Sequence, residues 1–267
     1  MLCKWWKNKK MSSKTNVTQE AVKSVLEVPI RTQLTFASGL SSSYTKKHKP
    51  TERWDVKVFK EGALVVPGMF FVLMDVEKEV RNQGGTFYIT ELFRSWSTQA
   101  TARKAYESGE KSPYVAKPGK SFHNAGRAVD FSVHELNFPN RPKEDHLKIL
   151  WDIVKPLGFT PIIDKPDPDL SESWHLDWME DTWHRVYKNM GYDEAAKCSV
   201  LDIGRYDPDV PVEKVVKMFC QAQLLRLGYY DAGIVDGIFG NKTKTTLNKL
   251  GLSDKSLAEL ADLLADL

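Results

Sequence analysis

Apolar residues recur at helical spacing at Met69, Leu73, Val76 and Val80, behind Pro67 and ahead of the breaker pair Gly84-Gly85, which predicts a helix across that interval. The next stretch, 86–92, is rich in β-formers and predicts a strand, and 98–108 predicts a second helix. Residues 128–133 form a short apolar run of the kind found in a core strand. A helix is predicted over 144–157, where Leu147, Leu150, Ile153 and Val154 make one apolar face. Strands follow at 159–163 and 174–178, then a closing helix at 181–190. Nearer the start, a short helix is predicted over 19–27, with Val22, Val25 and Leu26 on one side and Pro29 ending it, and a strand over 54–59. Mixed helices and short strands in this order predict an α+β domain, a small antiparallel sheet flanked by helices.

The pattern changes after residue 190. Gly191, Gly204, Pro208 and Pro211 punctuate a stretch that reads as a linker over 191–210. Beyond it, periodic runs at 212–227, 243–250 and 257–267 predict a small all-α unit of three helices. The expected division is therefore an arm with a short helix over 1–50, a main domain over 51–190, the linker, and the tail over 211–267.

Hydrophobic residues at 42% and charged residues at 27% are ordinary for a globular chain and leave enough apolar material for a packed core. Charge is distributed unevenly. Residues 1–60 hold 13 Lys and Arg against 4 Asp and Glu, an excess of +9, so the remainder carries −6 of the net +3. Such an arm is either solvated or touches an anionic polymer. No RNA- or DNA-reading motif is present, and no nucleic-acid partner is expected. Three scattered cysteines without a Cys-x-x-Cys point to neither a disulfide framework nor a thiolate metal site. No apolar run reaches the roughly 20 residues of a membrane span, and the basic start lacks the apolar core of a secretory signal. The expectation is a monomer without stable membrane insertion, made in the cytoplasm.

The candidate chemistry lies in two clusters. In the first, Ser121-Phe122-His123-Asn124-Ala125-Gly126-Arg127-Ala128-Val129-Asp130, an imidazole and a carboxylate stand seven residues apart around a Gly-x-Ala turn. In the second, Glu172-Ser173-Trp174-His175-Leu176-Asp177, a second imidazole lies 45 residues beyond Asp130. His123, Asp130 and His175 make a set that suits a zinc ion with one position left open for water. Glu172 is placed to exchange the proton of that water, as general base and then acid. Arg94 leaves a neighbouring strand and either neutralises an oxyanion or makes an ordinary ion pair. Ser121 either contacts substrate or holds its loop, and Asp177 is a candidate partner for a ligand imidazole.

These residues resemble a known family. Ser121, His123, Gly126, Ala128 and Asp130 follow Ser-x-His-x-x-Gly-x-Ala-x-Asp, and Glu172 and His175 follow Glu-x-x-His; together they resemble the M15 zinc peptidases. Phe93-Arg94-Ser95 with Gln99 is similar to the segment that precedes the ligands in that family. Among its members are D-alanyl-D-alanine carboxypeptidases, D-alanyl-D-alanine dipeptidases and phage L-alanyl-D-glutamate endopeptidases. The resemblance implies Zn2+ as cofactor, His123, Asp130 and His175 as its ligands, Glu172 and Arg94 as catalytic residues, Ser121 and Gln99 as substrate-binding residues, and peptidoglycan as substrate and partner.

In the tail, Leu227-Gly228-Tyr229 and Asp236-Gly237-Ile238-Phe239-Gly240 with Thr243 resemble a three-helix peptidoglycan-binding domain, although Asn248-Lys249-Leu250 stands where an aromatic-Gln pair is usual. The expected function is a phage endolysin that cuts the stem peptide, made in the host cytoplasm and acting at the wall after release. A bacterial D-alanyl-D-alanine carboxypeptidase or dipeptidase is the alternative enzyme, and a non-catalytic, zinc-stabilised wall-binding protein the alternative of another class.

Overall fold

The computed structural model describes residues 26–43, 61–110 and 113–267. The predicted strand over 54–59 and all but the last two residues of the predicted helix over 19–27 lie outside them. Six strands and eight α-helices are described: β1 Thr35–Phe36, β2 Leu64–Val65, α1 Pro67–Asn82, β3 Ile89–Glu91, α2 Trp96–Glu107, β4 Ala128–Phe131, α3 His146–Val154, β5 Phe159–Pro161, β6 His175–Trp178, α4 Glu180–Met190, α5 Tyr192–Asp202, α6 Val212–Arg226, α7 Asn241–Lys249 and α8 Leu257–Asp266. The class is α+β, as expected.

The organising sheet is antiparallel, in the order β3-β4-β6-β5. All four residues of β4 and all four of β6 are buried, because helices cover both faces. That is why these strands read as apolar runs broken only by residues with chemistry. Side chains alternate along a strand, so Val129, Phe131, Leu176 and Trp178 belong to one core with α1 and α3. Ala128 belongs to a second core with Phe122 and residues of α4, α5 and α6. In register, Asp130 pairs with His175 and Ala128 with Asp177, so both acids and the imidazole occupy the face away from the first core.

The first core follows the predicted periodicity. Met69, Leu73, Val76 and Val80 of α1 are all buried. Pro67 starts the helix where its missing N–H costs nothing. Gly84, at φ +73°, stops it, with the Gly85 N–H donating to the Val80 carbonyl. Leu150 of α3 is wholly buried in this core. Leu150→Ala is expected to lower unfolding free energy by about 2–5 kcal/mol, lost contacts plus a residual cavity, as a reduced midpoint in denaturant unfolding.

One segment departs from its reading. The stretch 191–210, expected as a linker, contains the buried helix α5, which packs against α4, α6 and the 3-10 turn Phe122–Ala125. Its small residues Ala195, Ala196 and Ser199 are buried together with Cys198, Val200, Leu201 and Asp202. A helix enclosed on most sides shows no apolar stripe, and its flanking Gly and Pro residues dominate the local signal. Val215, Ala222, Leu225 and Val235 of the tail pack into the same core as Ala195, Ala196 and Leu201.

The tail motif is largely a fold device. The buried Gln221 accepts the N–H groups of Asp236 and Gly237 at 3.1 and 2.8 Å and donates to Asp236 Oδ1 and the Ile238 carbonyl, each at 3.0 Å. Thr243 Oγ1 donates to the Ala232 carbonyl at 3.0 Å. At Gly237, φ is +77°, and a Cβ would lie 2.9 Å from the Lys214 carbonyl oxygen, so a side chain there meets backbone. Cys198 and Cys220 are buried and unpaired with each other, and burial pushes the Cys220 thiol up to about 12. Among the described residues no helix is long and apolar enough to cross a membrane.

Candidate metal centre and active site

Each predicted ligand is positioned by backbone geometry. Ser121 caps a 3-10 turn, Phe122–Ala125, its Oγ accepting the His123 N–H at 3.3 Å. Gly126 ends the turn at φ +64°, where a Cβ would sit 2.8 Å from Leu34 and 3.3 Å from the Val65 Cα. The chain then enters β4 and delivers Asp130 opposite His175. His123 Nε2, His175 Nδ1 and an oxygen of Asp130 lie within 4.8 Å of one another. Individually, His175 Nδ1 is 2.8 Å and His123 Nε2 3.1 Å from Asp130 Oδ1, and the two ring nitrogens are 3.2 Å apart.

The other nitrogen of each ring is already occupied. His123 Nδ1 stands 2.5 Å from the Leu92 carbonyl, which only accepts, so the proton of the neutral ring belongs there. His175 Nε2 stands 2.9 Å from Asp177 Oδ1, which likewise holds a proton on that nitrogen. Both neutral rings therefore turn a lone pair toward Asp130. Three acceptors crowded together repel unless a cation lies among them, and two imidazoles with one carboxylate fit zinc. In the metal-free chain, burial disfavours a charged His175, but Asp177 and Asp130 outweigh it and raise its pKa well above the usual value. A proton on Nδ1 then bridges to Asp130, whose carboxyl is strongly depressed; burial opposes this and the two imidazoles win.

Asp177 is held from behind. The Tyr192 hydroxyl hydrogen-bonds to it, and the Tyr192 ring packs edge-on against Phe122 at 5.4 Å. Tyr192 is the first residue of α5, so the helix hidden in the expected linker supports the candidate metal cluster. Asp177→Asn is expected to weaken metal affinity about 10- to 100-fold, read by competition with a chromogenic chelator.

Arg94 is clamped rather than free. Its guanidinium makes a two-pronged ion pair with Glu91, at 2.9 Å through Nε and more closely through Nη2. Nη1 donates to Gln99 Oε1 at 3.0 Å, and Nη2 lies 3.9 Å from Asp130 Oδ2. The pair with Glu91 fixes the guanidinium beside the cluster. The expected substrate contact by Gln99 is corrected: the residue is 0% exposed, and its Nε2 donates to the Ala116 carbonyl at 2.7 Å, so both ends of its amide are engaged internally. Ser121, also buried, holds its loop.

Glu172 precedes β6 in a turn, its carbonyl accepting the His175 N–H at 3.0 Å. Burial raises its pKa; the Asp130 charge adds to the rise, while His175, His123 and Arg94 oppose it. Its φ is +66°, a left-handed conformation that costs a non-glycine residue about 1–3 kcal/mol and that tends to persist at functional positions.

Several contributors escaped the sequence reading. Glu91 ends β3, the Leu92 carbonyl follows directly after it, and neither carries a motif. Asn124 donates from Nδ2 to the Arg94 carbonyl at 2.6 Å and accepts the Gly119 N–H at 3.1 Å, tying three loops together. Its place inside the first cluster was the one available signal.

No protein-family model matches the chain, and no curated protein matches it. Among solved structures, it is similar to the LdcB LD-carboxypeptidase, from a structure described as revealing the molecular basis of peptidoglycan recognition. Identity is 17%, the TM-score is 0.40, and the match covers 61% of this chain and 76% of that one.

Proposed function

We propose that this chain is a zinc-dependent peptidase that cuts an amide bond in the stem peptide of peptidoglycan, of the L-alanyl-D-glutamate endopeptidase type found in phage endolysins, with a tail that holds the wall. One observation carries the reading: His123, Asp130 and His175 turn three acceptor atoms to a common point while their remaining ring nitrogens are fixed by Leu92 and Asp177. The motif resemblance supplies the peptide substrate class.

Zinc at that point would supply a Lewis acid for the scissile carbonyl and acidify a water. Glu172 takes a proton from the attacking water and returns it to the leaving amine; its raised pKa suits a group that must hold the proton between the two events. Arg94 keeps a fixed positive charge near the point where the carbonyl oxygen becomes negative, and Glu91 and Gln99 prevent it from swinging away. Burial of the cluster excludes bulk water and strengthens these interactions. A wall-bound tail raises the local concentration of bonds to cut without altering the chemistry.

The test is mass analysis of purified peptidoglycan digested with the zinc-loaded protein. New L-alanine carboxyl and D-glutamate amino termini are expected. Loss of a terminal alanine instead identifies the carboxypeptidase alternative, and an undigested wall with zinc bound rejects the peptidase reading.

A further inference from the structure

A second charged cavity lies at the far end of the central strand pair. It has a volume of about 360 Å3 and its lining includes three arginines from three separate parts of the chain: Arg31 ahead of β1, Arg127 immediately before β4, and Arg226 at the end of α6. Arg127 is three residues from Asp130, about 10 Å along an extended chain, so this cavity is distinct from the metal centre.

Arg127 is the anchor. It is 4% exposed, with its guanidinium carbon 5.4 Å from the ring of Trp178 and 5.6 Å from that of Trp183. One of its nitrogens, Nη1, is paired with Glu180, while the buried Nε has no partner among the described residues. Asp202 holds Arg31 in place: its backbone carbonyl accepts the N–H groups of Arg31 and Thr32, and its carboxylate lies 3.7 Å from the Arg31 guanidinium. Arg226 is fixed by Gln223 and by the Leu264 carbonyl, neither of which carries charge. Among the described residues three guanidiniums thus face two carboxylates, and one positive charge is left uncompensated. Burial holds Arg127 and Arg226 below their usual pKa, and Arg31 adds to the effect on both. Glu180, at the cavity, adopts φ +52°, a strained conformation for a non-glycine residue.

We propose that this cavity binds a phosphate-class oxyanion. Guanidiniums approaching from three separate parts of the chain suit a tetrahedral group better than a planar carboxylate. Because its arginines come from the leading segment, the sheet and α6, a bound anion joins the tail to the peptidase half. The inference is independent of whether the metal centre cuts peptide bonds.

Equilibrium dialysis of the full zinc-loaded chain against radiolabelled inorganic phosphate, at constant ionic strength, tests it. One saturable site is expected, about tenfold or more weaker in Arg226→Gln and in Arg31→Gln, each confirmed folded by its melting profile. Glu180→Gln should bind phosphate more tightly, because a competing carboxylate charge is gone. His175→Ala should leave the site intact, which separates it from phosphate held at the metal. Competition by dimethyl phosphate would show that a phosphodiester polymer fits as well; competition by monoesters alone would point to a free phosphate compound, and either result upholds the site. Absence of saturable binding, unchanged affinity in both arginine variants, or acetate binding as tightly as phosphate would overturn it.

Discussion

Glu172→Gln is expected to lower the rate of stem-peptide hydrolysis by about a hundred- to ten-thousand-fold, the usual contribution of a positioned general acid–base group. The amide keeps the size and the hydrogen-bonding reach of the carboxylate but cannot carry the proton. Metal content should not change, because the predicted ligands are His123, Asp130 and His175. Stability should hardly change either, since the left-handed backbone at residue 172 is present in both proteins. Metal analysis, denaturant unfolding and product counting by mass separate these effects. A variant that still digests the wall at the original rate, with its metal in place, removes Glu172 from the mechanism.

The second large effect concerns metal retention. His175→Ala deletes one of three ligand atoms and should reduce both bound zinc and hydrolysis to background. It should also unsettle Asp177, which then loses its imidazole partner inside a buried site. The pH dependence has a definite sign. Because His175 in the metal-free chain has a raised pKa, its contribution to stability is complete below the ordinary imidazole range and is lost as pH rises through the raised value. Zinc needs the neutral ring, so it must displace that proton. Metal affinity should therefore fall about tenfold per pH unit below the raised pKa, and binding should release about one proton. Calorimetry in buffers of different ionisation enthalpy reads the released proton directly. Binding that is indifferent to buffer and pH would show that the His175 proton does not stand in the metal's place.

How much was legible beforehand differs from element to element. α1 and α3 announced themselves because each lays one apolar face on one core, and the period of that face survives in the sequence. The His123–Asp130 pair of the cluster was legible because a Gly-x-Ala turn and a short spacing restrict what the two residues can do. α5 was not legible, because burial on most sides erases periodicity. The tail motif was visible, but its meaning was only partly so: Gln221, which organises the Asp236–Gly237 loop, carries no signature. Gln99 reads in the sequence as a substrate contact, and only packing shows that both ends of its amide face inward.

By itself the amino-acid sequence determined the α+β class, the periods of the main helices, and the choice of His123, Asp130 and His175 as a set that could hold a metal. These are local properties, set by side-chain spacing of 3.6 or 2 and by the conformations that Gly and Pro permit. The tertiary structure decided which nitrogen of each imidazole faces Asp130, how Glu91 and Gln99 immobilise Arg94, and that Tyr192 reaches back to support Asp177. Those are contacts between residues remote in sequence or on different elements. They exist because antiparallel register sets Asp130 opposite His175 and because α5 packs against the turn that carries His123.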